Sequence, residues 1–286
     1  MNRNKFIIPA ILAIILSVPA LLSQIRENAT RTAARAMSEQ KKSPASTAKV
    51  SESTRKTIES ADAGDYKAQY MVGTWYYEGS HSLPQDYDKA AEYFRKAADS
   101  KYTLAIGNLG VCYRYGQGVP RDTVEALRLY LTSIVNGNKP LLKKVETQAR
   151  DKEPFANIVM AKLALADKNI AMAERADKAQ PYYGTAANAG SADACRELGL
   201  MLLNRRKGAQ AFTYFEMGSH RGDVVCTYYT GRMLRDGGMG VKSDPQRGIG
   251  YLLEASTAGF PAADYQLGQA YRKGLGVTES PSRARD

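Results

Sequence analysis

The chain has 286 residues, and 40 Lys and Arg against 29 Asp and Glu give it a formal net charge of +11. An apolar content of 44% is enough for a packed core and too high for a disordered chain. Two histidines and three cysteines, none at the spacing of metal ligands, argue against a zinc cluster and against a disulfide framework. We therefore expect no metal site.

Residues 1–25 contain an apolar segment. Residues 6–22 are almost wholly apolar, and no charge lies between Lys5 and Arg26. This length just reaches the roughly 20 residues that span a bilayer, which favours a single-pass anchor. A cleaved signal peptide, with Val18 and Ala20 before the cleavage site, is the alternative. In either case we expect the rest of the chain outside the cytoplasm, membrane-anchored or else secreted or periplasmic.

Residues 26–50 read as a flexible tether. They are rich in Ser, Thr, Ala, Lys and Arg, with a single Pro44 and almost no large apolar side chain. The basic residues are spread out instead of clustered, which favours a solvated tether over a stretch that rests on anionic lipid.

A pattern recurs from about residue 60 onward. The clearest copies place a small residue, a Leu-Gly pair and a Tyr on one helical face, followed by a Gly-x-Gly-Val loop, and the copy that begins at Ala194 lacks that loop. Weaker copies begin at Ala68, Ala194 and Cys226. The two clearest copies contain Ala105, Leu109, Gly110, Tyr113, Gly116, Gly118 and Val119, and Ala263, Leu267, Gly268, Tyr271, Gly274, Gly276 and Val277.

A second mark confirms the register of the copies. A glycine, or Lys101 in one case, stands four positions before each starting residue, and successive marks are 37, 36, 53, 32 and 37 residues apart. A period that recurs this closely is typical of a solenoid. We therefore predict turns between helices at these glycines: Gly64, Gly137, Gly190, Gly222 and Gly259.

The residue types explain the unit. The Ala, Leu and Tyr positions form one apolar stripe on a helix, and the Gly after Leu leaves room for a second helix. The next Gly supplies a left-handed cap, and Asp122 or Asp244 is placed to cap the following helix. The prediction is a stack of antiparallel helix pairs without strands.

These motifs resemble the Sel1-like repeat family, relatives of tetratricopeptide repeats, over about residues 50–286. The resemblance implies an all-α, right-handed α-solenoid of about five to six helix-turn-helix repeats in residues 51–286. Residues 138–189 are too long for one unit, and we expect extra or lengthened helices there. Because few residues follow Tyr271, we expect the flank of the last helix to be exposed or covered from outside its own repeat. That end is then a candidate for self-association.

We find no catalytic constellation and expect no cofactor. The Gly-x-Gly loops at Gly116 and Gly274 do not follow strands, so they are helix caps and not dinucleotide sites. Neither His81 nor His220 has a partner at catalytic spacing.

The resemblance implies that the first helices of the repeats line a concave face. Positions beside the apolar stripe should point outward there, and they are mostly Tyr and Arg, which are common in interface hot spots. The alternative is an ordinary solvated face with some tyrosines in the core. The candidate binding residues are Tyr70, Tyr77, Arg114, Tyr115, Arg196, Tyr228, Arg232, Arg235, Tyr265, Arg272 and Lys273.

Three functions remain open. The first is a membrane-tethered, non-enzymatic adaptor that binds a protein partner along the concave surface, with no role in nucleic-acid binding. The second is a cell-envelope module that binds a non-protein ligand such as cell-wall fragments. The third is an enzyme, which the lack of any constellation disfavours.

Overall fold

The computed structural model describes residues 50–284, so the apolar segment at 6–22 and nearly all of the tether lie outside the described residues. The described part is all-helical: it contains thirteen α-helices and no strand beyond one isolated bridge between Gly238 and Val241. Of the described residues, 50–97 form one compact unit and 98–284 form a second. The helices are α1 (Glu52–Asp62), α2 (Tyr66–Glu78), α3 (Tyr87–Asp99), α4 (Thr103–Tyr115), α5 (Thr123–Val135), α6 (Lys139–Arg150), α7 (Pro154–Ala166), α8 (Met172–Asn188), α9 (Ala192–Asn204), α10 (Gly208–Ser219), α11 (Val224–Asp236), α12 (Pro245–Thr257) and α13 (Pro261–Lys273).

In the first unit, α1 and α2 meet at the predicted turn. Gly64 has φ +103°, which a residue with a Cβ rarely adopts. The Phe94 ring packs directly on Gly73, where a Cβ would lie 2.8 Å from the Phe94 Cδ1 atom. The close packing of α2 on α3 thus depends on a missing side chain on α2 and an aromatic ring on α3.

In the second unit, the helices pair as the repeats predict: α4 with α5, α7 with α8, α9 with α10, and α11 with α12. The predicted turns at Gly137, Gly190, Gly222 and Gly259 all have positive φ, between +79° and +103°. Asp122 and Asp244 accept backbone N–H bonds at the starts of α5 and α12. The predicted helical pairs and their caps are therefore confirmed.

The divergent segment 138–189 contains one added helix and one complete pair. Lys152 adopts φ +61° in a tight turn between α6 and α7, 15 residues after Gly137 and 38 before Gly190. The 53-residue spacing between Gly137 and Gly190 is thus explained by one inserted helix, α6, followed by a repeat of ordinary length that consists of α7 and α8. At 17 residues, α8 is the longest of the described helices, and it contains Pro181. The expectation of extra and lengthened helices is confirmed.

The expected exposure of the last helix requires a correction. Leu267 and Ala270 of α13 are buried, and the chain after α13 folds back over it. The Ser280 N–H donates to the Tyr271 carbonyl at 2.9 Å, and the Ala284 carbonyl lies 3.2 Å from where a Cβ on Gly268 would be. Residues 280–284, which belong to the same repeat, cover this flank. Gly268 has no side chain, so the backbone of this short segment can approach α13 closely. The prediction of self-association loses this support.

None of the helices in residues 50–284 is long and apolar enough to cross a membrane.

Candidate interaction surface

The first helices of consecutive repeats in the second unit are joined by charged side chains. Arg196 on α9 pairs with Asp193 at 2.5 Å and also with Asp223, whose side chain is 7% exposed. Asp223 in turn caps α11 by accepting the N–H of Cys226 at 2.8 Å. One arginine therefore links α9 to the first turn of α11.

Arg235 makes the next link. Its guanidinium donates to the backbone carbonyl of Gln266 at 3.0 Å and to the Gln266 side-chain oxygen at 2.6 Å. It also contacts Asp236 at 2.8 Å, and its side chain is 7% exposed. α11 is thereby fixed to α13.

Two further links precede these along the chain. Arg114 on α4 pairs with Glu153 at 2.8 Å, and its guanidinium lies 4.5 Å from the Phe155 ring centroid. Lys162 on α7 donates to Glu197 on α9 at 2.9 Å. Arg114 is 8% exposed, so this predicted surface residue is part of the interior.

The structure therefore separates the candidate binding residues into groups. Tyr228 is buried against Phe260, with ring centroids 5.0 Å apart. Tyr70 and Tyr77 are half-buried in the first unit, beside Phe94. The exposed members are Tyr115, Arg232, Tyr265, Arg272 and Lys273.

The exposed tyrosines present most of their surface to solvent. Tyr115 is 53% exposed and Tyr265 66% exposed. The Tyr265 hydroxyl accepts a bond from Gln269 at 3.1 Å, and Arg272 donates to the same glutamine at 2.5 Å. Arg232 lies 3.9 Å from Asp236, so its charge is only loosely paired. These side chains are exposed and take no part in the links between repeats described above.

Sequence reasoning missed the acceptors of these links. Asp223 stands three positions before Cys226, where a helix cap is expected, so its position was readable. That Arg196 of the preceding repeat approaches Asp223 was not predictable, since the two residues are 27 positions apart in the sequence.

Sequence reasoning also missed a groove formed by α6, α7 and α8. It has a volume of about 930 Å³ and includes Leu142, Met160, Leu163 and Tyr182 among its lining residues. None of the candidate residues named above lines it. No repeat signal marks this segment, because α6 stands outside the period.

The described residues contain no cluster of His, Cys, Asp and Glu that could hold a metal ion. All three cysteines are buried. Burial raises the pKa of the Cys195 thiol, although Arg221 donates to its Sγ at 3.0 Å. Burial together with the negative charge of Asp223 raises the pKa of Cys226. Both side chains are packed in the core of the second unit.

Comparison with protein families identifies the repeat. The Sel1 repeat profile matches five segments, residues 67–102, 103–134, 192–223, 224–260 and 261–286. The chain belongs to the Sel1 repeat family. The Sel1 matches leave out residues 135–191, which carry α6, α7 and α8 in full.

Two curated relatives are similar over part of the chain. The DAP3-binding cell death enhancer 1 of Rattus norvegicus is 34% identical over 89 residues, which is 31% of this chain and 17% of that protein. The mouse protein of the same name, from Mus musculus, is 48% identical over 42 residues, 15% of this chain and 8% of that protein. The chain thus spans less than a fifth of the length of either relative.

Solved Sel1-type structures are also similar. The protective antigen c5321 of uropathogenic Escherichia coli, described as displaying an SLR fold, has 23% identity and a TM-score of 0.48 over 81% of this chain and 54% of that one. A Sel1 repeat protein from Oxalobacter formigenes has 23% identity and a TM-score of 0.44 over 81% of this chain and 96% of that one.

Proposed function

We propose that this chain is a non-enzymatic scaffold that binds a protein partner along the surface of its first helices. Sel1 repeats are generally interaction scaffolds, and repeat solenoids of this kind are generally non-catalytic. We further propose that residues 6–22 tether it to a membrane, with the repeats outside the cytoplasm. The uncharged stretch from residue 6 to residue 25 supports the tether.

The observation that carries the proposal is the set of links between first helices. Arg196 and Arg235 hold α9, α11 and α13 in fixed relation, so side chains on these helices are presented without much ordering cost. Arg232 and Tyr265 stay exposed on α11 and α13. Tyr and Arg contribute disproportionately to binding when a partner covers them.

Affinity purification of the full-length chain from source-cell membranes tests the proposal. We expect a stoichiometric protein partner, bound at least tenfold more weakly by the double variant Tyr265→Ala, Arg232→Ala. The matched control is Met172→Ala, Lys242→Ala, which changes two exposed residues elsewhere and should leave binding within twofold. Recovery of a glycan instead of a protein, or equal binding by both double variants, would contradict the proposal.

A further inference from the structure

We propose that the groove formed by α6, α7 and α8 is a second docking site, and that it takes an acidic amphipathic helix from a protein partner. This goes beyond the surface of the first helices, since none of the exposed tyrosines or arginines discussed above lines the groove. The two sites are separable by mutation, so either proposal stands or fails without the other.

The groove has a partly apolar lining that follows one face of α7. Met160 and Leu163 on α7, Leu142 on α6 and Tyr182 on α8 are each half-buried, so part of every one of these side chains faces solvent. The 13 residues of α7 extend for about 20 Å, the length of a helix of three to four turns. Amphipathic helices bind such grooves through apolar side chains spaced i, i+3, i+4 and i+7.

The wall formed by α6 is strongly basic. Lys139, Lys143 and Arg150 follow one another at i, i+4 and i+11, which places them on one edge of the helix, and all three are exposed. Lys144 is exposed as well, while Glu146 is the one acidic residue of α6. Within the described residues these four cations form no ion pair, unlike the arginines that link the first helices. Like charges spaced i, i+4 destabilise a helix, so the row formed by Lys139, Lys143 and Arg150 does not contribute to the stability of α6.

The lining of the groove carries charges of both signs. Arg150 and Lys178 line the groove itself, Lys178 from α8. Two acids, Glu146 and Asp167, also line it, so the charges of the lining itself are balanced. The excess of cations lies at the edge of the groove, where the exposed Lys139, Lys143 and Lys144 of α6 add to the charge of Arg150. This edge favours an acidic occupant, since opposite charge across an interface speeds and selects association.

The position of the groove distinguishes it from a general property of the repeats. The helix with the cationic row, α6, is the inserted one, and it lies wholly within residues 135–191, which no Sel1 repeat match covers. The apolar side chains form a concave floor instead of projecting outward. A membrane surface requires a projecting apolar face, so a helix fits this shape better than a lipid bilayer does.

A designed peptide tests the proposal. The probe is a fluorescein-labelled peptide of about 14 residues, with Leu at i, i+3, i+4 and i+7 and Glu at the exposed positions. One control peptide has the same composition in scrambled order, and another has Lys in place of every Glu. The full-length chain is used, held in phosphatidylcholine nanodiscs if it needs lipid. We expect fluorescence anisotropy to show the acidic amphipathic peptide bound at least tenfold more tightly than either control.

Variants locate the site. The double variant Lys143→Glu, Arg150→Glu should weaken binding of the acidic peptide at least tenfold. Leu163→Glu should abolish that binding, while the circular dichroism spectrum remains that of a helical protein. The charge-matched control is Arg121→Glu with Lys242→Glu, two exposed cations away from the groove, and its affinity should stay within twofold of the wild type. The Tyr265→Ala, Arg232→Ala variant should bind the peptide as the wild type does, because it affects only the other surface.

Two results would overturn the proposal. The first is equal affinity for the acidic, scrambled and basic peptides, or equal loss in the groove variant and its charge-matched control. The second is loss of peptide binding when phosphatidylserine is added to the nanodiscs, which would show that the cations of α6 face a lipid surface.

Discussion

Arg196 shows what a single side chain contributes in this repeat. Its pKa is raised, since the attraction of Asp223 and Asp193 outweighs the effect of its own partial burial. The pair with Asp223 joins two repeats and also orients a helix cap. At the residue scale, cohesion between repeats therefore depends on a few directed ion pairs in addition to apolar packing.

Replacing Arg196 with alanine should lower the free energy of unfolding by about 1–2 kcal/mol, because it leaves the nearly buried Asp223 carboxylate without its cation. Urea denaturation followed by circular dichroism measures this. Arg232→Ala removes an exposed arginine two turns into α11 and should cost about 0.5 kcal/mol or less. Equal effects of the two substitutions would contradict the assigned role.

The buried thiols lead to a second prediction. Ellman's reagent reacts with the thiolate, and burial both raises the pKa of Cys195 and Cys226 and blocks access. We expect no cysteine of the native protein to react at neutral pH within minutes, and all three to react in guanidinium chloride. A thiol that reacts quickly in the native protein would show that its helix pair opens readily.

At the scale of the helix, the pairing depends on contact between glycine and a ring. A Cβ on Gly199 of α9 would lie 2.5 Å from the Phe215 ring of α10, and one on Gly110 of α4 would lie 2.9 Å from Tyr130 of α5. Only a residue without a side chain permits this approach. Gly268 differs, since its nearest neighbour is the Ala284 backbone at 3.2 Å.

Gly199→Ala should therefore destabilise the protein by about 1–3 kcal/mol through overpacking against Phe215. Gly184→Ala is the matched control, because a Cβ there would meet Leu198 at an ordinary 3.9 Å. That substitution should be neutral or stabilise α8 by up to about 1 kcal/mol, since alanine has the higher helix propensity. Thermal unfolding of both variants measures the difference, and a destabilised Gly184→Ala protein would argue against the packing account.

At the scale of the whole molecule, the proposed tether predicts membrane association. Full-length protein should remain in the membrane pellet after an alkaline carbonate wash. Leu12→Arg with Ile14→Arg should release it, because each central arginine costs about 2.5–3.5 kcal/mol in a membrane-spanning helix. A mature N-terminus near Leu21 or Gln24 would instead establish a cleaved signal peptide.

The repeated part of the chain was readable from sequence alone. The period, the Ala-Leu-Tyr stripe and the glycine marks depend on local geometry, and they predicted the helix pairs, their turns and the caps at Asp122 and Asp244. Local rules suffice there because each helix packs mainly on its sequence neighbours. The sequence did not reveal that α6 is a single inserted helix, since Lys152 takes the turn position that glycine marks at every other repeat boundary except Lys101.

The sequence by itself thus determined the all-helical fold class and the repeat register. Only the tertiary structure decided which arginines are exposed. Arg114 and Arg235 occupy predicted outward positions, yet both are buried by partners about 30 to 40 residues away, at Glu153 and Gln266. The position of a residue on its own helix is set by a period of 3.6 residues, whereas its burial depends on the next repeat, and no local pattern encodes that contact.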